Sequence, residues 1–199
     1  MSKINTKGLP NNWFTYWFSG MLLKLTGWRI AGEMPDIPKA VVIVAPHTSN
    51  WDFPTGLMLA WRLRLKAAFI GKHTLFKGLS GKLFHWLGGI PVDRSSSHNL
   101  VEQVTQVFQQ YDRFLITIAP EGTRKRVEHW KTGFYYIAQA AGVPIMCAYI
   151  DFKRKAGGFG LVIHPSGDIE ADMVQIREFY RGITGKRPEN MGPMLVPPR

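Results

Sequence analysis

His47 and Asp52 stand five positions apart in Pro46-His-Thr-Ser-Asn-Trp-Asp52, directly after an apolar run. Imidazole has an ordinary pKa of about 6.5, so it can take or give a proton near neutral pH. A carboxylate on one ring nitrogen fixes the tautomer and leaves the other nitrogen free to accept a proton. The pair therefore reads as a general base and its orienter. On a regular helix, positions i and i+5 lie about 140° apart, so the chain must bend between them. Ser49 or Asn50 can cap a following helix and allow that bend. The plainer reading is that His47 only caps or packs.

Two further segments offer groups for an anion. Pro120-Glu-Gly-Thr-Arg-Lys-Arg126 brings Gly122, the Thr123 hydroxyl and the Arg124 guanidinium together after a buried run. Such a loop can hold phosphate through backbone N–H groups and side-chain donors. Glu121 is unexpected beside an anion; it either bonds an acceptor hydroxyl or holds Arg124. In Leu87-Gly-Gly-Ile-Pro-Val-Asp-Arg94, the arginine can grip phosphate as a bidentate fork. A solvated basic turn is the plainer reading of either segment. Cys147 is the only cysteine, so neither an intramolecular disulfide nor a multi-cysteine metal site is expected. No His/Cys cluster calls for a metal.

The elements that must position these residues follow from periodicity. Residues 40–45, 67–71, 114–119 and 144–150 are continuous apolar runs, expected as strands buried on both faces. A shorter strand is expected at 161–164. Helical spacing covers 53–65, 99–111, 132–141 and 169–183, with Gly142 as a C-cap. Strands alternating with helices predict a single α/β domain with a largely parallel, mixed sheet. In such sheets ligands gather beyond the C-terminal strand ends, where His47, Lys72 and Glu121 all fall.

The N-terminal stretch 13–25 repeats aromatic and apolar residues at helical spacing behind Asn12, a candidate N-cap. Lys24 and Arg29 follow it. Two readings stay open: a helix that covers the sheet, or an amphipathic helix lying among lipid headgroups. The uncharged stretch 8–23 is shorter than the ~20 apolar residues of a spanning helix, and no signal-peptide pattern is present. The expected organisation is an interfacial helix over 1–30, a catalytic domain over 31–184 and a Pro-rich extended tail over 185–199, with Met191, Met194 and Leu195 pinning the tail to the body.

The 199 residues carry 25 Lys+Arg against 14 Asp+Glu, a net charge of +11, and 45% are hydrophobic. That apolar share excludes a mainly disordered chain. The charge predicts an anionic partner: nucleic acid, an anionic membrane surface, or a phosphate-bearing substrate. No helix-turn-helix, zinc-finger, RRM or KH signature supports nucleic acid.

Taken together, the His47-x4-Asp52 box, Gly88-Gly-Ile-Pro-Val-Asp-Arg94, Pro120-Glu-Gly-Thr-Arg124 and Val143-Pro-Ile145 stand in the order and spacing of the glycerolipid acyltransferases. The chain resembles their 1-acylglycerol-3-phosphate acyltransferase branch. They extend from His47 to Ile145, about half the chain. The resemblance implies a glycerol-3-phosphate acyltransferase-like fold. It also implies His47 as base on an acceptor hydroxyl, Asp52 as its orienter, and Arg94 on the acceptor phosphate. Glu121, Gly122, Thr123 and Arg124 would shape the acceptor site, and Pro144 would position the segment lining the acyl site. No cofactor and no acyl-enzyme on Ser49 are implied. The implied partners are a lysophospholipid acceptor, an acyl-CoA or acyl carrier protein donor, and the cytoplasmic face of a membrane. The sequence departs from the family at Ala119, where phenylalanine is common, and at Thr74-Leu75, where many members carry Glu-Leu. The alternatives are an acyltransferase acting on a different lysolipid acceptor and, in another class, a non-catalytic peripheral lipid-binding protein.

Overall fold

A computed structural model describes residues 9–32, 34–92 and 97–198. The strands are β1 (Arg29–Ile30), β2 (Lys39–Ala45), β3 (Ala67–Lys72), β4 (Gly89–Val92), β5 (Phe114–Ile118), β6 (Ile145–Asp151) and β7 (Ala156–Ile163). They form one sheet in the order β1-β7-β6-β2-β5-β3-β4. Every pairing is parallel except the β6–β7 hairpin, which gives the expected single α/β domain with a largely parallel mixed sheet. The helices are α1 (Trp13–Thr26), α2 (Asp52–Arg62), α3 (Gly78–Trp86), α4 (Ser97–Gln110), α5 (Gly133–Ala141) and α6 (Ile169–Tyr180).

Alternation along β2 shows why the sheet lies between helix layers. Val41, Ile43 and Ala45 pack with residues of α4, α5 and α6, whereas Ala40 and Val42 join a second cluster on the opposite face. Successive side chains of a strand point to opposite faces, so an all-apolar strand needs cover on both. On the second face α2 lies over β6 and β7, and α1 lies against α2.

β7 starts five residues before the expected 161 because Gly157 and Gly158 open it. These glycines weaken the strand signal yet are required here, since a Cβ at Gly158 would stand 1.8 Å from the Ala31 carbonyl oxygen. The helix expected over 53–65 ends at Arg62, and Arg64 turns into the left-handed region at φ 54°. The helix expected over 169–183 ends at Tyr180, ahead of Gly182 at φ 79°.

α1 begins at a capping box, in which the Asn12 side chain accepts the Thr15 N–H and Thr15 Oγ1 accepts the Asn12 N–H. Its inward face carries Thr15, Ser19 and Leu23, and Leu23 packs with Leu59 and Ile150. The Tyr16 ring stacks under the guanidinium groups of Arg62 and Arg64. The aromatic surface points away from the body, with Trp13 73% and Leu25 75% exposed and Phe14, Trp17 and Met21 beside them. Among the described residues no helix is long and apolar enough to cross a membrane.

Candidate active site

β2 ends at Ala45 and α2 starts at Asp52, so the six residues between them form the expected bend at a C-terminal strand end. The bend is tightened by one carboxylate oxygen. Asp52 Oδ2 accepts the Thr48 N–H at 2.7 Å and the Ser49 N–H at 2.8 Å, and stands 3.0 Å from His47 Nδ1. The i, i+5 pair therefore meets because Asp52 caps its own helix start backwards through two backbone donors. Asp52 is 4% exposed and His47 24%, which puts the carboxylate beneath the ring. The contact turns Nδ1 toward the carboxylate and Nε2 away from it, the orientation in which an imidazole donates Nδ1–H to Asp52. Asp52 Oδ1 is buried, with no described group donating to it.

The Glu-Gly-Thr-Arg loop follows β5, the immediate neighbour of β2, and this adjacency brings it to the same place. Glu121 Oε1 accepts the His47 N–H at 2.8 Å. Among the described residues, the carboxylate ties one loop to the backbone of the other. Its Oε2 is shielded from solvent without a described partner. Burial raises the Glu121 carboxyl above the usual carboxylate range; the hydrogen bond from His47 opposes the rise. Gly122 turns the loop at φ 66°, and its N–H bonds to the Ala119 carbonyl. Thr123 accepts the Lys125 N–H, and Arg124 is exposed.

His47, Gly122, Thr123 and Arg124 all line one cleft of about 2050 Å³. One wall is aromatic: Phe53, Phe69 and Phe84 pack edge to face with centroids 5.4–6.4 Å apart. Cationic groups come from Lys72, Arg124, Lys125 and Lys131, and the wall of α4 and α5 adds Thr105, Gln106 and Gln139. Arg94 lies outside the described residues. Gly88 and Gly89 are not among the residues that line the cleft, and the Gly88 N–H bonds to the His85 carbonyl at 3.1 Å. The Thr48 and Ser49 N–H groups at the helix start are likewise taken by Asp52.

Sequence reasoning missed the aromatic wall, although Phe53 directly follows the box. It also missed Tyr180, whose hydroxyl sits 2.9 Å from the Ala148 carbonyl and 3.1 Å from that of Ile43, sharing its hydrogen between them. That contact joins α6 to β2 and β6 near the strand ends that carry the site. The buried Cys147 thiol is pushed up to about 12, which keeps it from serving as a thiolate nucleophile. Among the described residues no His/Cys/Asp/Glu cluster could hold a metal ion.

Comparison with known proteins agrees with this geometry. The family model described as acyltransferase matches residues 32–151, which contain both loops of the site. A 1-acyl-sn-glycerol-3-phosphate acyltransferase of Haemophilus influenzae is 29% identical over 149 residues, 70% of this chain and 58% of the relative. That of Escherichia coli is 28% identical over 137 residues, 64% of this chain and 54% of the relative. The chain thus spans little more than half the length of these curated relatives. In fold it is similar to the 1-acyl-sn-glycerophosphate (LPA) acyltransferase PlsC of Thermotoga maritima, at TM-score 0.58 and 20% identity, covering 85% of this chain and 77% of that one. With the family match spanning the two loops that meet at His47, the chain belongs to the acyltransferase family.

Proposed function

We propose that this protein transfers a fatty acyl group from acyl-CoA or acyl carrier protein to the free hydroxyl of a lysophospholipid, 1-acylglycerol-3-phosphate by first choice, giving phosphatidic acid. The observation that carries the proposal is the His47 Nδ1–Asp52 Oδ2 contact of 3.0 Å at a cleft that joins an aromatic wall to cationic groups. An acyl chain needs the first environment, and a phosphate needs the second.

In this mechanism His47 Nε2 takes the hydroxyl proton as the acceptor oxygen attacks the thioester carbonyl. The C–O bond forms, the carbonyl becomes a tetrahedral oxyanion, and Asp52 stabilises the imidazolium beside it. Collapse restores the carbonyl and breaks the C–S bond. The imidazolium proton goes to the leaving thiolate. Neither a metal nor an acyl-enzyme is required. Thr123, Arg124 and Arg94 hold the acceptor phosphate, and Glu121 keeps the base in register with them. The outward aromatics of α1 lie at the bilayer, where the lysophospholipid acceptor resides; the membrane face is the cytoplasmic one, where acyl-CoA and acyl carrier protein are available.

The test incubates the purified protein with a panel of lysolipids and both donor types and identifies products by mass. Phosphatidic acid from 1-acylglycerol-3-phosphate is the expected product, and His47→Ala should lower the rate about 10²–10⁴-fold. A His47→Ala protein that transfers acyl groups at the wild-type rate rejects the mechanism. Thioester release without acyl transfer to any acceptor rejects the acceptor class.

A further inference from the structure

The segment after α6 lies against the site. Gly185 is buried so closely on the bend that a Cβ there would stand 2.6 Å from Thr48 Oγ1 and 3.2 Å from Pro46 Cγ. The Arg187 N–H donates to Thr48 Oγ1 at 3.2 Å, and Asn190 Nδ2 donates to the Thr48 carbonyl at 3.4 Å. Thr48 is 2% exposed. Its N–H is the donor to Asp52 Oδ2 at 2.7 Å. Both the oxygen atoms of Thr48 thus face this segment while its nitrogen faces the carboxylate that holds His47.

The same segment then reaches the chain that leaves the Glu-Gly-Thr-Arg loop. The Arg126 guanidinium donates to the Met191 carbonyl. A Cβ at Gly192 would stand 1.7 Å from the Val127 carbonyl oxygen. Leu195 pairs in parallel with His129: its N–H donates to Glu128 at 3.0 Å, and its carbonyl accepts from Trp130 at 2.8 Å. Met194 and Val196 pack on the main core, and Pro197 lines the cleft. A tail fixed only by core packing would not need two glycines, one pressed on the bend at Thr48 and one on the chain that leaves the Glu-Gly-Thr-Arg loop.

We propose that residues 185–196 form a positioning strap for the acyl-transfer site, with Thr48 as its point of attachment to the base. The strap sets Thr48, Thr48 sets Asp52, and Asp52 sets the plane and tautomer of His47. Thr48 and Asn190 are therefore positioning residues that never touch substrate. Small displacements of a reacting group lower rates steeply, so loosening the strap acts on kcat and leaves acceptor binding in place.

The inference rests on the acyltransferase reading, and the experiment separates the two. Asn190→Ala, Thr48→Val and Gly185→Ala are compared with wild type by steady-state kinetics, thermal melting, and the downfield proton resonance of His47 Nδ1–H, identified by its loss in His47→Gln. In variants that melt above the assay temperature, kcat should fall about 10–100-fold with acceptor KM within about twofold. Their His47 Nδ1–H signal should broaden or vanish. Thr48→Ser, which keeps the hydroxyl, should restore most of what Thr48→Val loses. Folded variants with unchanged kcat and an unchanged proton signal overturn the strap, as does a kcat loss that only tracks the unfolded fraction. If the wild type acylates no acceptor but its His47 signal still depends on Asn190 and Thr48, the strap stands and the acyltransferase reading falls.

Discussion

Glu121 is placed where its own ionisation opposes folding. Burial raises its carboxyl above the usual range, so between the ordinary carboxylate value and that raised value the folded state holds a proton the unfolded chain has lost. Stability then falls as pH rises through this window and stays reduced above it. Glu121→Gln removes the titration but keeps an oxygen for the His47 N–H. Its unfolding free energy, measured in urea from about pH 4 to about pH 8, should gain on wild type as pH increases. A difference that does not change with pH rejects this account. Glu121→Ala also removes the titration but strands the His47 N–H, so it should lie about 1–3 kcal/mol below Glu121→Gln at any pH. The glutamate itself was legible in the Glu-Gly-Thr-Arg motif, but its partner was not. The hydrogen bond spans 74 positions, and only the adjacency of β2 and β5 creates it. The His47–Asp52 contact was legible as a pair because its bend is local, whereas the two backbone donors that make the bend were not.

α1 is the element for which two readings stayed open. Helical spacing places its aromatics on a face but cannot say what that face meets. The burial of Thr15, Ser19 and Leu23 assigns these three to the inner side, leaving Trp13, Phe14, Trp17, Met21 and Leu25 outside. Exposed side chains carry little folding energy, so the double variant Trp13→Ala/Trp17→Ala should change stability by no more than about 0.5 kcal/mol per site. If α1 is the membrane contact, the same variant should bind anionic vesicles at least about tenfold more weakly in sedimentation assays. Undiminished binding removes α1 from that role. The elements absent from the sequence reading share a physical cause. β1 is two residues long, and α3 leaves Leu83 and Trp86 exposed while Phe84 packs inward, so neither carries a long apolar period to read. The buried strands β2, β3, β5 and β6 were legible because cover on both faces demands unbroken apolar runs.

At the scale of the molecule, the excess of 25 basic over 14 acidic residues creates a field that draws anions before any contact forms. The cationic groups that line the cleft put part of that field at its walls. Screening lengths fall from about 10 Å at 0.1 M salt to about 3 Å at 1 M, so a field of this origin weakens with salt while the buried His47–Asp52 contact does not. For acyl-CoA, which carries several phosphate charges, kcat/KM should fall by about tenfold or more between about 0.05 M and about 0.5 M salt, with kcat at saturation nearly constant. An acyl-pantetheine donor has the same thioester without those phosphates. If the whole-molecule field recruits the donor, its kcat/KM should change by less than about twofold over the same range. Equal salt sensitivity of the two donors would place the effect on the acceptor or the membrane instead. That outcome would leave the net charge serving lipid binding, where α1 and the anionic surface act together, and would remove it from donor capture.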